Sequence, residues 1–193
     1  MRRSVLVRLY RPGSLPEPMA GQLLELTRLC DRDFVPPLSW CHQLGQDLRG
    51  LGPREGGGVE EYVDSLLELA HLVVLVEGGR VVGYCAYYWP WIWRGEEHVY
   101  VSTAVVAPDR RGRGLSARMG RRVVWWALRR RVALVAETWS TNRASMGALA
   151  RWGRVDEVVR DERGAGIDTV YWRLDTAHPL AAVGTVVSSA RSS

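Results

Sequence analysis

Residues 105–116 read Val105-Val106-Ala107-Pro108-Asp109-Arg110-Arg111-Gly112-Arg113-Gly114-Leu115-Ser116. An apolar strand ends at Pro108, a loop with two glycines follows, and a helix begins. Such a loop can turn several backbone N–H groups toward one point, and the helix N-terminus adds unpaired donors and partial positive charge. One residue between Gly112 and Gly114 allows the backbone to approach a bulky anion closely, and Arg110, Arg111 and Arg113 add full positive charge. The segment therefore reads as a cradle for a diphosphate or, on glycine spacing alone, equally as an ordinary Gly-rich turn with solvated arginines. It is not the dinucleotide fingerprint, whose third glycine place is Ala117 here. Nor is it the phosphate loop of NTPases, which needs a lysine; all 26 basic residues of this chain are arginine.

Outward from this loop the periodicities alternate between strand and helix. Downstream, Gly114 to Arg131 reads as a helix with Leu115, Met119, Val123 and Trp126 on one face. Val132 to Thr138 reads as a strand, Asn142 to Trp152 as a helix stopped by Gly153, and Val155 to Arg160 with Thr169 to Leu174 as a closing hairpin around Gly164 and Gly166. Upstream, Ser4 to Tyr10 alternates as a first strand. Pro18 to Arg32 and Glu60 to Leu69 repeat leucines at helical steps, with loop and a short helix around Cys41 to Leu48 between them. Leu72 to Glu77 and Arg80 to Trp89 flank Gly78-Gly79, a hairpin signal because two glycines supply the positive φ angles of a tight turn. Pro90 is expected to end that strand, leaving Trp91 and Trp93 in a loop, and Glu97 to Ala107 forms the next strand. The sum is a mixed α/β domain over residues 1–175, with a central sheet of about six to seven strands flanked by about four helices, and a flexible tail at 176–193.

Composition narrows the class. A chain of 193 residues, 47% hydrophobic and 24% charged, is neither disordered nor collagen-like and is long enough for a core of its own. No apolar run reaches the roughly 18 residues of a membrane span, and the basic start is too short for a secretory signal. Three scattered cysteines, Cys30, Cys41 and Cys85, suit free thiols in a reducing compartment and match no zinc spacing, so the expectation is a soluble cytoplasmic protein with no metal. The net charge of +5 permits an anionic ligand. The arginines from Arg110 to Arg131 surround a helix that must also pack, and no nucleic-acid motif accompanies them, so neither nucleic acid nor membrane is expected as a partner.

Arg111-Gly112-Arg113-Gly114-Leu115-Ser116 after Val106-Ala107-Pro108 resembles the acyl-CoA signature of the GNAT superfamily of N-acyltransferases, with Ser116 where a Gly or Ala is usual. Glu137-Thr138-Trp139-Ser140-Thr141-Asn142-Arg143-Ala144-Ser145, followed by Gly153, resembles the second block of that family, and the element order agrees from about Val5 to Leu174. The resemblance implies a GNAT fold and acetyl-CoA as cofactor. Backbone N–H groups of Arg111 to Ser116, including Gly112, Arg113, Gly114 and Leu115, would hold the pyrophosphate. Main-chain groups near Val105 and Val106 would pair with the pantetheine arm, beside a splay between their strand and the Val132 strand. Asn142 would bond the pantetheine or cap its helix, and Ser145, the small residue three places on, would also belong to the cofactor-binding set. The implied acceptor is a primary amine of a small molecule or peptide, acylated by direct attack in a ternary complex, since nothing marks Cys85 as a covalent carrier. Many members of the family are homodimers.

The catalytic positions depart from the family pattern. The tyrosine that many members carry seven residues after the Asn is Leu149 here, and Ser102 and Thr103 stand where an acidic residue is common on the strand before the motif. Tyr100, Tyr87 and Tyr88 are the alternative acids, each also explicable as packing. A carboxylate can collect the proton of an ammonium of pKa about 10 through water. Glu137 is the first candidate base, His98 the second and Glu97 the third; a surface ion pair explains any of them as well. The run Tyr87-Tyr88-Trp89-Pro90-Trp91-Ile92-Trp93 is either core plus a dimer contact or, with Tyr88, Trp91 and Trp93, an aromatic wall for the acceptor. The vacant family positions equally suit a catalytically inactive acyl-CoA sensor or scaffold of the same fold.

Overall fold

The computed structural model describes residues 4–41 and 58–175. Among them seven strands form one mixed sheet: β1 (Val5–Tyr10), β2 (His71–Glu77), β3 (Arg80–Trp93), β4 (Glu96–Val106), β5 (Ala133–Trp139), β6 (Gly153–Val159) and β7 (Thr169–Leu174), in the order β1-β2-β3-β4-β5-β7-β6. The helices are α1 (Glu17–Leu29), the single turn α2 (Leu38–Cys41), α3 (Val59–Leu69), α4 (Leu115–Arg130) and α5 (Arg143–Leu149), with 3-10 turns at Asp31–Asp33 and Pro108–Arg110. The helix expected over Cys41 to Leu48 and the tail at 176–193 lie outside the described residues, apart from Cys41 at the end of α2.

The chain divides into two compact units, Met1–Ala86 with Thr103–Ser116 and Tyr87–Ser102 with Ala117–Ser193. In the first, β1 pairs antiparallel with β2 from Val5↔Glu77 to Tyr10↔Leu72, and α1 packs on α3. Its core is aliphatic, built on Leu23, Leu26, Val63, Leu66 and the run Leu72–Val76, all nearly or fully buried. Thr27 is an exception on the buried face of α1. Its hydroxyl donates to Leu23 O (2.8 Å) and lies 2.9 Å from the Tyr84 hydroxyl, so both buried polar groups are satisfied.

In the second unit α4 buries Met119, Val123, Trp126 and Ala127, the face expected from its periodicity. It ends without a glycine. Arg131 takes φ +57°, while Val132 N–H donates to Ala127 O and Arg131 N–H to Leu128 O, the two bonds of a Schellman motif. β5 pairs antiparallel with β7 from Leu134↔Leu174 to Trp139↔Thr169, and parallel with β4 only from His98↔Ala133 to Val101↔Ala136. Beyond that register β4 runs on to Val106 and β5 to Trp139.

Pro90 does not end β3, contrary to the sequence expectation. The strand continues to Trp93 and turns into β4 at Arg94-Gly95, both with positive φ (53° and 79°), the geometry of a two-residue hairpin turn. The β-branched and aromatic residues on either side of Pro90 favour the extended chain enough to carry the strand across it. Ring contacts show what this does to the alternation of side chains. Tyr87 and Trp89 both pack on Trp126 of α4, with centroids 5.4 and 5.1 Å apart. Tyr88, Trp91 and Trp93 lie instead against residues of β4 and β7. From Tyr88 to Trp91 is an odd step, so the two-residue alternation shifts by one at Pro90 and all three rings share one face.

Candidate active site

The loop of the first unit is held by its own carboxylates. Gly112 and Gly114 have φ +73° and +70°, where a side chain costs about 1–2 kcal/mol, and a Cβ on either would meet nothing within 4 Å. The conformation therefore selects glycine, and the space before it is open. Arg110 Nε donates to Glu77 Oε2 (2.6 Å) and Arg113 Nη2 to Glu77 Oε1 (3.0 Å). Arg111 donates through Nε to Val106 O (3.1 Å) and through Nη2 to Asp33 Oδ2 (2.5 Å). Arg110 also meets Asp109. The expected full positive charge is thus compensated: three guanidinium groups face three carboxylates. Arg113 and then Arg110 hold the Glu77 carboxyl below the usual carboxylate range. What the loop offers an anion is chiefly its backbone, with the unpaired N–H groups at the start of α4. Such a backbone, shaped by two left-handed glycines and open in front, fits the pyrophosphate of coenzyme A.

Main-chain groups of this segment are already partly used, since Ala107 N–H donates to Val82 O (3.0 Å). Val105 O approaches β3 so closely that a Cβ on Gly83 would lie 2.9 Å from it, which is why that position carries no side chain. Thr103, at a usual carboxylate place, is buried and hydrogen-bonded to the Tyr62 hydroxyl of α3. Cys30 is buried, and its Sγ lies 3.6 Å from Arg111 Nη2.

In the second unit Glu137 sits on β5, one residue past the last registered pair with β4, and its side chain is 23% exposed. The Tyr100 hydroxyl donates to its carboxylate, Arg163 Nη2 lies 3.5 Å from Oε1, and Tyr171 is its cross-strand partner on β7. Burial pushes the Glu137 carboxyl above its ordinary value against the opposing pull of Arg163. Burial, and then the charge of Glu137, push Tyr171 up to about 12, so its phenol stays protonated at neutral pH. Around the carboxylate stand two ring stacks. Trp91 lies on Tyr100 at 4.7 Å, with Tyr88 beside both, and Trp93 lies on Tyr171 at 5.9 Å.

The structure brings Glu137, Tyr88, Trp91 and Trp93 onto one face, buries His98 on that same face beneath Trp93, and turns Glu97 away from it. His98 is 1% exposed under the edge of Trp93; its Nδ1 donates to Glu96 O (2.9 Å), and Nε2 is buried without a hydrogen-bond partner. Glu97 is exposed, and strand alternation turns it to the face opposite Tyr100. Asn142 caps α5, its Oδ1 accepting from Ser145 N–H (3.0 Å). Tyr87 is packing against α4, which leaves Tyr88 and Tyr100 near Glu137. Cys85 is buried and its thiol is pushed up to about 12, so it is no nucleophile. Sequence reasoning missed Tyr171, Arg163 and Tyr62. The alternation within β7 gives the phase of Tyr171, but its pairing with Glu137 requires the strand order.

No helix among the described residues is long and apolar enough to cross a membrane. Residues 41–153 match the family model described as Acetyltransferase (GNAT) family. Among solved structures, a GNAT-family protein from Desulfovibrio desulfuricans aligns with a TM-score of 0.65 at 18% identity, over 90% of this chain and 100% of its own. An aminoglycoside 6'-acetyltransferase type Ii aligns at 0.62 and 14% identity, over 89% and 97%. An N-acetyltransferase from Staphylococcus aureus aligns at 0.60 and 14%, over 90% and 99%. No curated protein matches. At these identities the structures speak for the fold alone, but the family model spans more than half of the chain, from Cys41 at the end of α2 to Gly153, which opens β6. The chain belongs to the GNAT acetyltransferase family.

Proposed function

We propose that the protein is an N-acetyltransferase that moves an acetyl group from acetyl-CoA to a primary amine of a small molecule or peptide, by direct attack of the amine in a ternary complex. The observation that carries this reading is Glu137, a part-buried carboxylate with a raised pKa, oriented by Tyr100 and walled by aromatic rings. Acetyl-CoA, when bound, supplies an acyl group already activated as a thioester.

The loop residues Arg111 to Ser116 hold the pyrophosphate by their N–H groups, and Val105 and Val106 offer main-chain groups to the pantetheine arm. Glu137 takes the proton of the acceptor ammonium. An ammonium of pKa about 10 gives up its proton uphill to any carboxylate, and the burial that raises Glu137 shortens that climb. Tyr100 holds the carboxylate in place. Tyr171, pushed up to about 12, is a protonated phenol able to donate, in a chain whose α5 carries Leu149 where many family members carry the acid. A thiol of pKa about 8.5 leaves tolerably as thiolate, so this loss slows the reaction without forbidding it.

Leu149 also supports a second reading, an acyl-CoA sensor without turnover. A thermal-shift titration with acetyl-CoA, free CoA and pyrophosphate, followed by acetyl transfer to a panel of amines, separates the two. Ligand at about 100 times its dissociation constant should add about 2.7 kcal/mol of stability. Stabilisation with turnover supports the enzyme, stabilisation without turnover on any amine supports the sensor, and no shift removes both. Because the 193 residues hold no lysine, acetylation of the protein's own side-chain amines cannot mimic turnover.

A further inference from the structure

Arg94 stands at the tip of the β3–β4 hairpin, yet its guanidinium reaches two carboxylates of β6. Its Nη2 donates to Glu157 Oε2 (2.5 Å), and its Nη1 lies 3.3 Å from Asp156 Oδ2. Arg173 Nε lies 3.4 Å from the other oxygen of Asp156, so one carboxylate bridges both arginines. Neighbours on a strand ordinarily point to opposite faces. Asp156 is the extra residue of a bulge between the pairs Val155↔Trp172 and Glu157↔Tyr171, and the bulge brings both carboxylates to the same guanidinium. In the sheet β5 and β7 lie between β4 and β6, about 14 Å across at ~4.8 Å per strand, so the hairpin tip leans over both. Trp93 accordingly stacks on Tyr171 of β7, 5.9 Å between ring centroids, with the Arg94 guanidinium 4.6 Å from its own centroid.

This strap shuts over a group that closure leaves unsatisfied. Under the edge of Trp93 lies the buried His98, whose Nε2 has no hydrogen-bond partner; Glu96 Oε2, at 4.0 Å, is out of reach. A buried acceptor without a partner favours the open strap, in which water satisfies it. The ion pairs favour the closed strap, and their side chains are exposed enough, from 16% at Asp156 to 53% at Arg94, for salt to screen them. Opposed terms of this kind make a hinge of the hairpin tip. We infer that Arg94 is a positioning residue of the acceptor site: latched to Asp156 and Glu157, it keeps Trp93 on Tyr171 and closes the flank of the Glu137 face that Tyr171 lines, so that an amine is held there only while the strap is shut. The inference rests on Glu137 as the acceptor-side carboxylate.

Diethyl pyrocarbonate, which modifies neutral imidazole, reads the strap without any turnover, because His98 Nε2 becomes accessible only when Trp93 lifts. The rate of His98 modification in the full chain is followed by mass spectrometry of its peptide, with His71, on β2 of the other unit, as the internal reference. Arg94→Ala should raise the His98 rate about tenfold, and Arg94→Lys, which keeps the charge, should restore most of the protection. Raising NaCl from 50 mM to 500 mM should speed His98 a few-fold in the wild type and leave Arg94→Ala unchanged. Equal rates in wild type and Arg94→Ala overturn the proposal by denying the latch. A rise that His71 shares overturns it too, since Arg94 would then be a general prop of the fold. With acetyl-CoA and an amine that is turned over, Arg94→Ala should raise the KM for the amine about fivefold with kcat nearly unchanged, and an unchanged KM would cut the strap off from the acceptor. If no amine is turned over while Arg94→Ala unmasks His98, the latch stands and the enzymatic reading falls.

Discussion

The glycine loop of the first unit and the Glu137 face of the second are both built for charge, but by opposite means. At the loop the side-chain charges cancel, and the backbone, bent through two left-handed glycines, presents the donors. At Glu137 the backbone is ordinary strand, and the chemistry lies in side chains gathered from β3, β4, β5 and β7. A backbone site depends on local conformation and tolerates changes among its flanking arginines. A side-chain site depends on strand order and register, and a single atom changed at its centre is felt.

The sharpest way to break this comparison is Glu137→Gln, which keeps the shape and removes the base. If Glu137 takes the amine proton, kcat should fall by about a hundredfold or more, within the usual range for a general base. In the wild type the acid limb of the rate profile should lie at higher pH than for an ordinary carboxylate, since the protonated acid is inactive. The same variant checks its own fold. A carboxyl whose folded pKa lies above its unfolded value binds more protons when folded, so its contribution to stability falls as pH rises through that window. Its charge therefore costs stability at pH 7, and Glu137→Gln should melt no lower than wild type there. A variant that melts lower would show that Glu137 is chiefly structural.

A smaller effect probes the other site. Gly114→Val places a β-branched side chain at φ +70°, a cost of about 1–2 kcal/mol, and acetyl-CoA should bind roughly tenfold more weakly by titration. Unchanged affinity would mean that the backbone shape is not what holds the ligand. Smaller still is Glu77→Gln, which leaves Arg110 and Arg113 without their shared carboxylate. The affinity for acetyl-CoA should then become more salt-dependent, by a few-fold between 50 mM and 500 mM NaCl, because the loop gains net charge. The same salt response in both proteins would show that these arginines never face the ligand.

The contrast also explains what the sequence made legible. The loop could be read because each of its requirements is local: strand, proline, two glycines, helix. That its arginines are spoken for could not, since Glu77 and Asp33 lie far off in the chain and nothing near the loop announces them. Glu137 could be picked out from its block, but the Tyr171 opposite it could not, because β7 lies beside β5 with β6 outside it. The sequence points to an end of β3 that is too early, because a proline usually ends a strand and Arg94-Gly95 lacks the Asn or Asp that ordinarily signals the turn. The end of α4 carries no glycine for the same kind of reason, since Arg131 takes the left-handed position itself.

The one-residue offset at Pro90 has a consequence for comparing this chain with its relatives. A homologue lacking a single residue there would keep Trp91 and Trp93 as letters in the alignment yet turn both rings toward α4, leaving Tyr100 and Tyr171 uncovered. Shared aromatic residues in this strand therefore say little about shared acceptors unless the residue count across Pro90 is also the same. In this family member, insertions and deletions at one position of β3 are a route to new specificity that substitution scores would not register.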